Sequence, residues 1–271
     1  MAEKRENTGH SGSFGTVGKI LQPFLIYYVV YFITVVLLTY MVKLIAQHIG
    51  GSLEAFFVEQ EATVNAIIGG LAMLTGILPL RSDFRTEVIQ NNIRYETGAS
   101  GKILITITLA LTSSIAINTL FIAFHLTESS EAYRQVAEHQ YGVFFPIGLF
   151  LYGVVSPLAE EIVFRGILYN RMRKALPVTG ALVLSALLFG LYHGNAVQAL
   201  YGFLMGMLLA YTYEKCGGFL YAFLFHAAAN AAVYCTTGNP VLYERFITLP
   251  GGVVCGGVSV VLLLIMRRIT K

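Results

Sequence analysis

The sequence predicts an all-α, polytopic integral membrane protein of about eight transmembrane helices, and three observations carry that prediction. Of 271 residues, 56% are hydrophobic and 12% charged, and the mean hydropathy is +0.67, outside the balance of a water-soluble domain. Apolar runs of the roughly 17–25 residues that a helix needs to cross a bilayer recur along almost the whole chain. Basic residues cluster in every second connection between those runs, the asymmetry that orients membrane helices.

The elements follow in order. Residues 1–18 are polar and rich in Gly, Ser and Asn, a composition that favours a disordered cytoplasmic tail; residues 19–271 form one membrane-embedded domain. The apolar-run rule places helices over Leu21 to Ala46, Val64 to Leu80, Ile103 to Phe124, Val143 to Phe164, Leu176 to His193, Ala196 to Tyr213, Phe219 to Tyr234 and Gly251 to Met266. The first run is too long for a signal-peptide core and has no small-residue cleavage site, so it reads as a retained helix.

The connections alternate in charge. Lys4, Arg5 and Lys19 precede the first helix. Arg81, Arg85 and Arg94, then Arg165, Arg171, Arg173 and Lys174, then Lys215, and finally Arg267, Arg268 and Lys271 fall at every second boundary. The other connections hold mainly Glu54, Glu59 and Glu61, then Glu128, Glu131, Arg134 and Glu138, then Glu244 and Arg245. The positive-inside rule therefore places both termini in the cytoplasm of a multi-pass protein of the cell membrane.

Several function classes drop out. A net charge of +3 spread along the chain gives no basic patch for nucleic acid. Cys216, Cys235 and Cys255 are far apart and odd in number, and read as apolar packing residues rather than a disulfide or zinc set. Gly202 and Gly206, four apart, suit close helix packing.

The polar residues inside apolar segments carry the functional signal. A carboxylate deep in a bilayer costs about 2.5–3.5 kcal/mol on insertion scales, and Glu160 and Glu161 are adjacent. Glu161 and Arg165 are four apart, share a helix face and can pair. Glu160 points about 100° away, so one carboxylate can be paired while the other faces a cavity. Pro157, three residues earlier, breaks the backbone hydrogen bonding beside the pair. The bland alternative is a helix end whose charged side chains snorkel to the surface.

His193 follows Phe189 by four residues, and His226 precedes Asn230 by four, so each pair shares a helical face. Taken singly, a histidine of this kind is more often an interior residue bonded to a carbonyl. Together with the glutamates they make a chemical set. A desolvated carboxylate is a stronger base, a nearby histidine can orient the same water, and a second histidine and an amide can donate to a developing oxyanion. That set can hydrolyse an acyl bond with water as nucleophile, and needs neither metal nor cofactor.

Two other mechanisms fit parts of it. Two His and one Glu are zinc-ligand types, but no His-Glu-x-x-His helix is present and the residues lie on separate segments. Ser156 and Ser185 are possible nucleophiles by spacing, but neither sits in a Gly-x-Ser-x-Gly context. His10, His48, His125 and His139 take no role, and Tyr27, Tyr28 and Tyr31 are expected at lipid or the membrane interface.

Glu160-Glu161-x-x-x-Arg165, Phe189-x-x-x-His193 and His226-x-x-x-Asn230, in that order, resemble the motifs of the CPBP family of intramembrane glutamic endopeptidases, also called CAAX protease and bacteriocin-processing, or Abi, proteins. The resemblance covers about Val143 to Tyr234. It implies that Glu160 and His193 activate water, that His226 and Asn230 form the oxyanion hole, and that Glu161, Arg165 and Phe189 support them. It also implies eight helices around a polar cavity that faces the cytoplasm; the expected topology puts Glu160 about five residues, or roughly 8 Å of helix rise, from the cytoplasmic end of its segment.

Eukaryotic members of that family trim prenylated CAAX proteins, and bacterial members are linked to maturation of, or immunity to, small peptides. The compact length and short loops look like a bacterial member. The expected partners are a membrane-associated peptide or protein substrate and the lipid bilayer, with no nucleic acid. Two other classes remain in view: a non-proteolytic scaffold or immunity protein that binds a peptide or partner, and a transporter using Glu160 or Glu161 as a proton relay.

Overall fold

A computed structural model describes residues 11–90 and 99–269. Residues 1–10 of the expected tail, with Lys4, Arg5 and His10, lie outside the described residues, as do Arg94 and Lys271. The rest is helical. In chain order the helices are α1 (Ser11–Ile49), α2 (Gly51–Glu59), α3 (Glu61–Ile89), α4 (Ala99–Ala123), α5 (Glu131–Tyr141), α6 (Phe145–Ala175), α7 (Val178–Leu191), α8 (Ala196–Cys216), α9 (Phe219–Thr237), α10 (Pro240–Phe246) and α11 (Leu249–Ile269). Seven of them, α1, α3, α4, α6, α8, α9 and α11, are long and apolar enough to cross a membrane.

All eight expected segments are helices, but the fifth, α7, has only 14 residues. At 1.5 Å per residue that is about 21 Å, short of the ~30 Å hydrocarbon core. It packs along α8 as one arm of a hairpin. Small residues make the close approach possible: a Cβ on Gly206 would lie 3.0 Å from the Ala186 Cα, and one on Gly190 would run into the Ala199 carbonyl.

Three boundaries differ from the sequence reading. Helix α1 absorbs Ser11 to Gly18, which composition had given to the tail. Helix α3 continues past Leu80 to Ile89. Helix α6 runs eleven residues beyond Phe164 to Ala175, because Arg165 is fully buried within it rather than marking its end. Glu160 is therefore about 22 Å, not 8 Å, from the end of its helix.

The helices alternate in direction, so the bundle has two chemically different ends. Lys19, Arg81, Arg85, Lys102, Arg171, Arg173, Lys174, Lys215, Arg267 and Arg268 mark a basic end, where both α1 begins and α11 finishes. Glu54, Glu59, Glu61, Glu128, Glu131, Glu138 and Glu244 mark the opposite, acidic end, with α2, α5 and α10. At the basic end Arg171 pairs with Asp83 at 3.0 Å, Lys174 with Glu87 at 2.6 Å and Arg173 with Glu214 at 3.5 Å, tying α6 to α3 and α8.

Helix α6 is central. Half of its most apolar window is buried, against 6% for α1, whose Leu25, Phe32, Val36 and Leu37 lie open on its outer surface as lipid-facing residues do. The core around α6 comprises Ala159, Val163, Phe164, Ile167 and Leu168 with Leu109, Phe189, Leu209 and Phe225. Tyr27, expected at lipid, is instead completely buried, its ring 6.5 Å from that of Tyr192; Tyr28 is half exposed as expected.

The connection after α4, read as a loop, contains α5. Ser130 caps it, its hydroxyl accepting from the Tyr133 N–H. Tyr133, Val136, Ala137, Gln140 and Tyr141 recur at the three- and four-residue spacing of one helical face, and that face lines a cavity. On the other side Arg134 donates to Glu131. That bond, the arginine's charge and a bond from Gln135 hold the Glu131 carboxyl below its usual range.

Candidate active site

The site begins with an interruption of α6. Pro157 has no N–H, and its ring crowds the turn before it. The chain meets this by widening residues Leu151–Val155 into π-helical winding, with the Ser156 N–H bonded to the Leu151 carbonyl five residues back. A second π stretch covers Ile162–Tyr169. Ordinary α-helix, Ser156–Glu161, is left between them. Wide turns of this kind recur at functional sites, and here they frame the two glutamates.

The glutamates then diverge, as their angular offset requires. Glu161 and Arg165 are both wholly buried, with Arg165 Nη1 donating to Glu161 Oε1 at 2.8 Å. Arg165 Nη2 donates to the Gly206 carbonyl at 3.2 Å, and the guanidinium lies 4.4 Å from the centre of the Phe189 ring, a cation–π contact. Phe189 also meets His193 and His226 edge-on, with ring centres 5.0 and 5.6 Å away. One phenylalanine thus spaces the cation from both histidines.

Glu160 faces the other way, into a cavity of ≈ 210 Å³. Its Oε1 accepts from the Ser156 hydroxyl at 2.8 Å, and its Oε2 is 3.7 Å from His226 Nε2. His226 Nδ1 is 2.9 Å from Glu161 Oε1. A carboxylate can only accept, so Nδ1 carries a proton, and His226 bridges the paired glutamate and the free one.

His193 enters from the α7–α8 turn. Gly194 adopts φ +80, a conformation that suits glycine, and Asn195 caps α8 by accepting from the Gln198 N–H at 2.9 Å. That turn holds His193 beside Gly202, where an added Cβ would be 3.2 Å from the imidazole Nδ1. His193 Nδ1 is 2.8 Å from the Phe189 carbonyl, which can only accept; Nδ1 is therefore the protonated nitrogen of the neutral ring, leaving the Nε2 lone pair free. Asn230 Nδ2 donates to the Tyr152 carbonyl at 3.1 Å, which occupies one of its two amide protons.

All seven residues singled out in the sequence converge. Glu160, His193, His226, Asn230 and Phe189 line one cavity, and Glu161 and Arg165 lie buried behind it, bonded to His226 and packed on Phe189. Ser156, considered only as a nucleophile, is instead a donor to Glu160; its four-residue offset from that glutamate was a readable signal. Tyr152 and the inner face of α5 were missed.

The cavity opens toward the acidic end. Its rim is Thr127, Tyr133, Val136, Ala137, Gln140 and Tyr141, whereas Val163, Phe164, Ile167 and Leu168 are completely buried on the basic side. Cytoplasmic termini and a cytoplasm-facing cavity, both expected above, are therefore incompatible in this fold. The sequence could not reveal the conflict, because the rim belongs to a segment read as a loop.

Fold and site define a polytopic helical membrane protein with an acid–histidine cluster sunk between its helices. Residues 142–232 match the family model described as type II CAAX prenyl endopeptidase Rce1-like. The matched segment holds all three motifs, and the match agrees with their resemblance to the CPBP group of CAAX-type intramembrane proteases. No curated protein and no solved structure matches the chain.

Proposed function

We propose that the protein is an intramembrane glutamic endopeptidase in which Glu160 is the general base. The observation that supports this most is the division of labour between adjacent carboxylates: Glu161 is committed to Arg165 and His226, while Glu160 faces the cavity with only a serine hydroxyl bonded to it.

Glu160 and the free Nε2 of His193 hold a water in the cavity. Glu160 takes its proton as the oxygen attacks the peptide carbonyl. The oxyanion accepts from the remaining Asn230 N–H and from His226 Nε2–H, with the Glu161 carboxylate holding the same ring through Nδ1–H. Collapse breaks the C–N bond, and Glu160 returns the proton to the leaving amine. Preorganised donors of this kind are worth about 10²–10³ in rate each, and a positioned base about 10²–10⁴.

The substrate is a peptide bond in a membrane-associated peptide or protein. The matched family's name points to CAAX prenyl proteins; the motif resemblance extends the reading to a bacterial role in peptide maturation, immunity or signalling. The charge asymmetry between the two ends favours cytoplasmic termini in a cell-membrane protein.

The test compares N- and C-terminal peptide profiles of membranes and culture fluid from cells making wild type or Glu160→Gln at matched levels. Termini that appear only with wild type would support proteolysis and name the substrate. Identical profiles, with the phenotype of wild type kept by both Glu160→Gln and His193→Ala, would replace this reading with a non-catalytic scaffold or immunity role.

A further inference from the structure

We infer that the cavity takes its substrate from the non-cytoplasmic side of the membrane: a peptide segment lying in the outer half of the bilayer, or one already carried across it, whose scissile bond reaches the bilayer midplane. The inference rests on the proposed site and on the orientation favoured by charge, and it assigns the substrate's compartment, which neither of those does alone.

Depth comes first. Glu160 lies fifteen residues from each end of α6, about 22 Å either way, so it sits near the middle of the bundle. His193, fifteen residues from the start of α7, reaches the same level from the same side. From that level the basic half is closed by buried side chains and by the Glu161–Arg165 pair, both at zero exposure. The acidic half is open.

Of two cavities in that open half, one reaches the glutamate and the other reaches Ser156, which bonds to it. One runs beneath α5, past Tyr133, Val136 and Gln140, to Glu160 and His226. The other, ≈ 410 Å³, lies between α1, α3 and α6, is lined by Tyr31, Asn65, Gly69, Gly70 and Leu151, and shares Tyr152 and Ser156 with the first. Asn65 and the glycines belong to the first half of α3, counted from the acidic end. A bilayer-embedded segment can enter through this side groove only within the acidic-end leaflet.

Charge decides which leaflet that is. The acidic end keeps Lys43, Arg134 and Arg245 against seven glutamates, whereas the basic end carries the ten described cations named above. Cytoplasmic connections carry the excess of Lys and Arg, and Asp and Glu contribute little, so the deciding quantity is the count of cations, three against ten. That imbalance turns the basic end inward and the cavity mouth outward. It reverses the cytoplasmic opening implied by family resemblance.

Single cysteines test this, placed in a background with Cys216, Cys235 and Cys255 changed to alanine. Gln135→Cys reports the outer face of α5, Val197→Cys the cavity wall, and Ser82→Cys the basic end. A membrane-impermeant maleimide added to intact cells is expected to label the first two, and Ser82→Cys only after permeabilisation. Labelling of Ser82→Cys from outside, with Gln135→Cys and Val197→Cys protected until lysis, would overturn the inference. So would outside labelling of Gln135→Cys with Val197→Cys unreactive even after lysis, since α5 would then seal the cavity. If the cysteine-free background does not fold, a site-specific protease sequence inserted between Glu128 and Ser129 of the otherwise unchanged chain reads the same side: cutting by protease added to intact cells is expected, and cutting only after lysis contradicts it. The labelling pattern is expected to be identical in Glu160→Gln, so this result and the catalytic test fail independently.

Discussion

The half of the bundle toward the basic end is closed and the half toward the acidic end is open, and the boundary between them passes between two adjacent carboxylates. Glu161 belongs to the closed half: no exposure, an ion pair at 2.8 Å and a histidine at 2.9 Å. Glu160 belongs to the open half, its carboxylate bordering the cavity and oriented by Ser156. Identical side chains one residue apart thus acquire different surroundings from a 100° turn of helix: Glu161 is locked to an arginine and a histidine, whereas Glu160 meets Ser156 and the more distant His226 at the edge of a cavity.

The largest effect should come from breaking the closed half. Arg165→Ala leaves Glu161 buried without its cation, and loss of one partner from a buried pair costs about 3–5 kcal/mol. Thermal unfolding in detergent should show a large loss of stability, and the double variant Glu161→Met with Arg165→Met should recover part of it because no charge is left alone. Arg165→Ala with wild-type stability would erase the contrast between the halves.

A smaller and different effect is expected in the open half. Ser156→Ala removes the hydroxyl that orients the Glu160 carboxylate; misplacing a reacting group costs up to about 10²-fold, so the rate of product-terminus formation should fall about 10- to 100-fold with a much smaller loss of unfolding temperature than in Arg165→Ala. A variant that unfolds early, with normal turnover per folded molecule, would move Ser156 into the structural class.

The smallest effect concerns the cover over the open half. Arg134 holds Glu131 below the usual carboxylate range, so its contribution to the start of α5 is present above the unfolded value and is lost as pH falls through the folded one. Amide exchange over residues 131–141 should lose protection only in that acid window, while α6 stays protected. Equal loss in both helices would show that the cover is not a separate unit.

Much of this was legible in the sequence because membrane folding obeys simple rules. Apolar length found every long helix, and the i, i+4 spacings of Glu161–Arg165, Phe189–His193 and His226–Asn230 singled out side chains that line one cavity or pack directly behind it. The failures share one cause: charge was read as the end of a helix. Arg165 reads as the end of the fourth segment, yet its guanidinium donates to Glu161 and Gly206 and lies over Phe189, with Nε alone left without a partner, so the helix passes through it. Likewise Glu131, Arg134 and Glu138 made α5 look like loop, although Tyr133, Val136, Ala137, Gln140 and Tyr141 keep a helical period. Tyr27 looked like an interface aromatic because composition alone does not say which face of α1 meets Gly76, where an added Cβ would lie 2.8 Å from the Tyr27 ring.

The central claim is that Glu160 does chemistry and Glu161 holds the fold, and the most direct measurement puts Glu160→Gln and Glu161→Gln side by side, scoring unfolding temperature and product-terminus formation on the same membranes. Glu160→Gln is expected to keep the wild-type unfolding temperature and to lose at least about 10²-fold in turnover, whereas Glu161→Gln loses stability first. Equal turnover in Glu160→Gln and wild type, or the same stability loss in both variants, would contradict the claim.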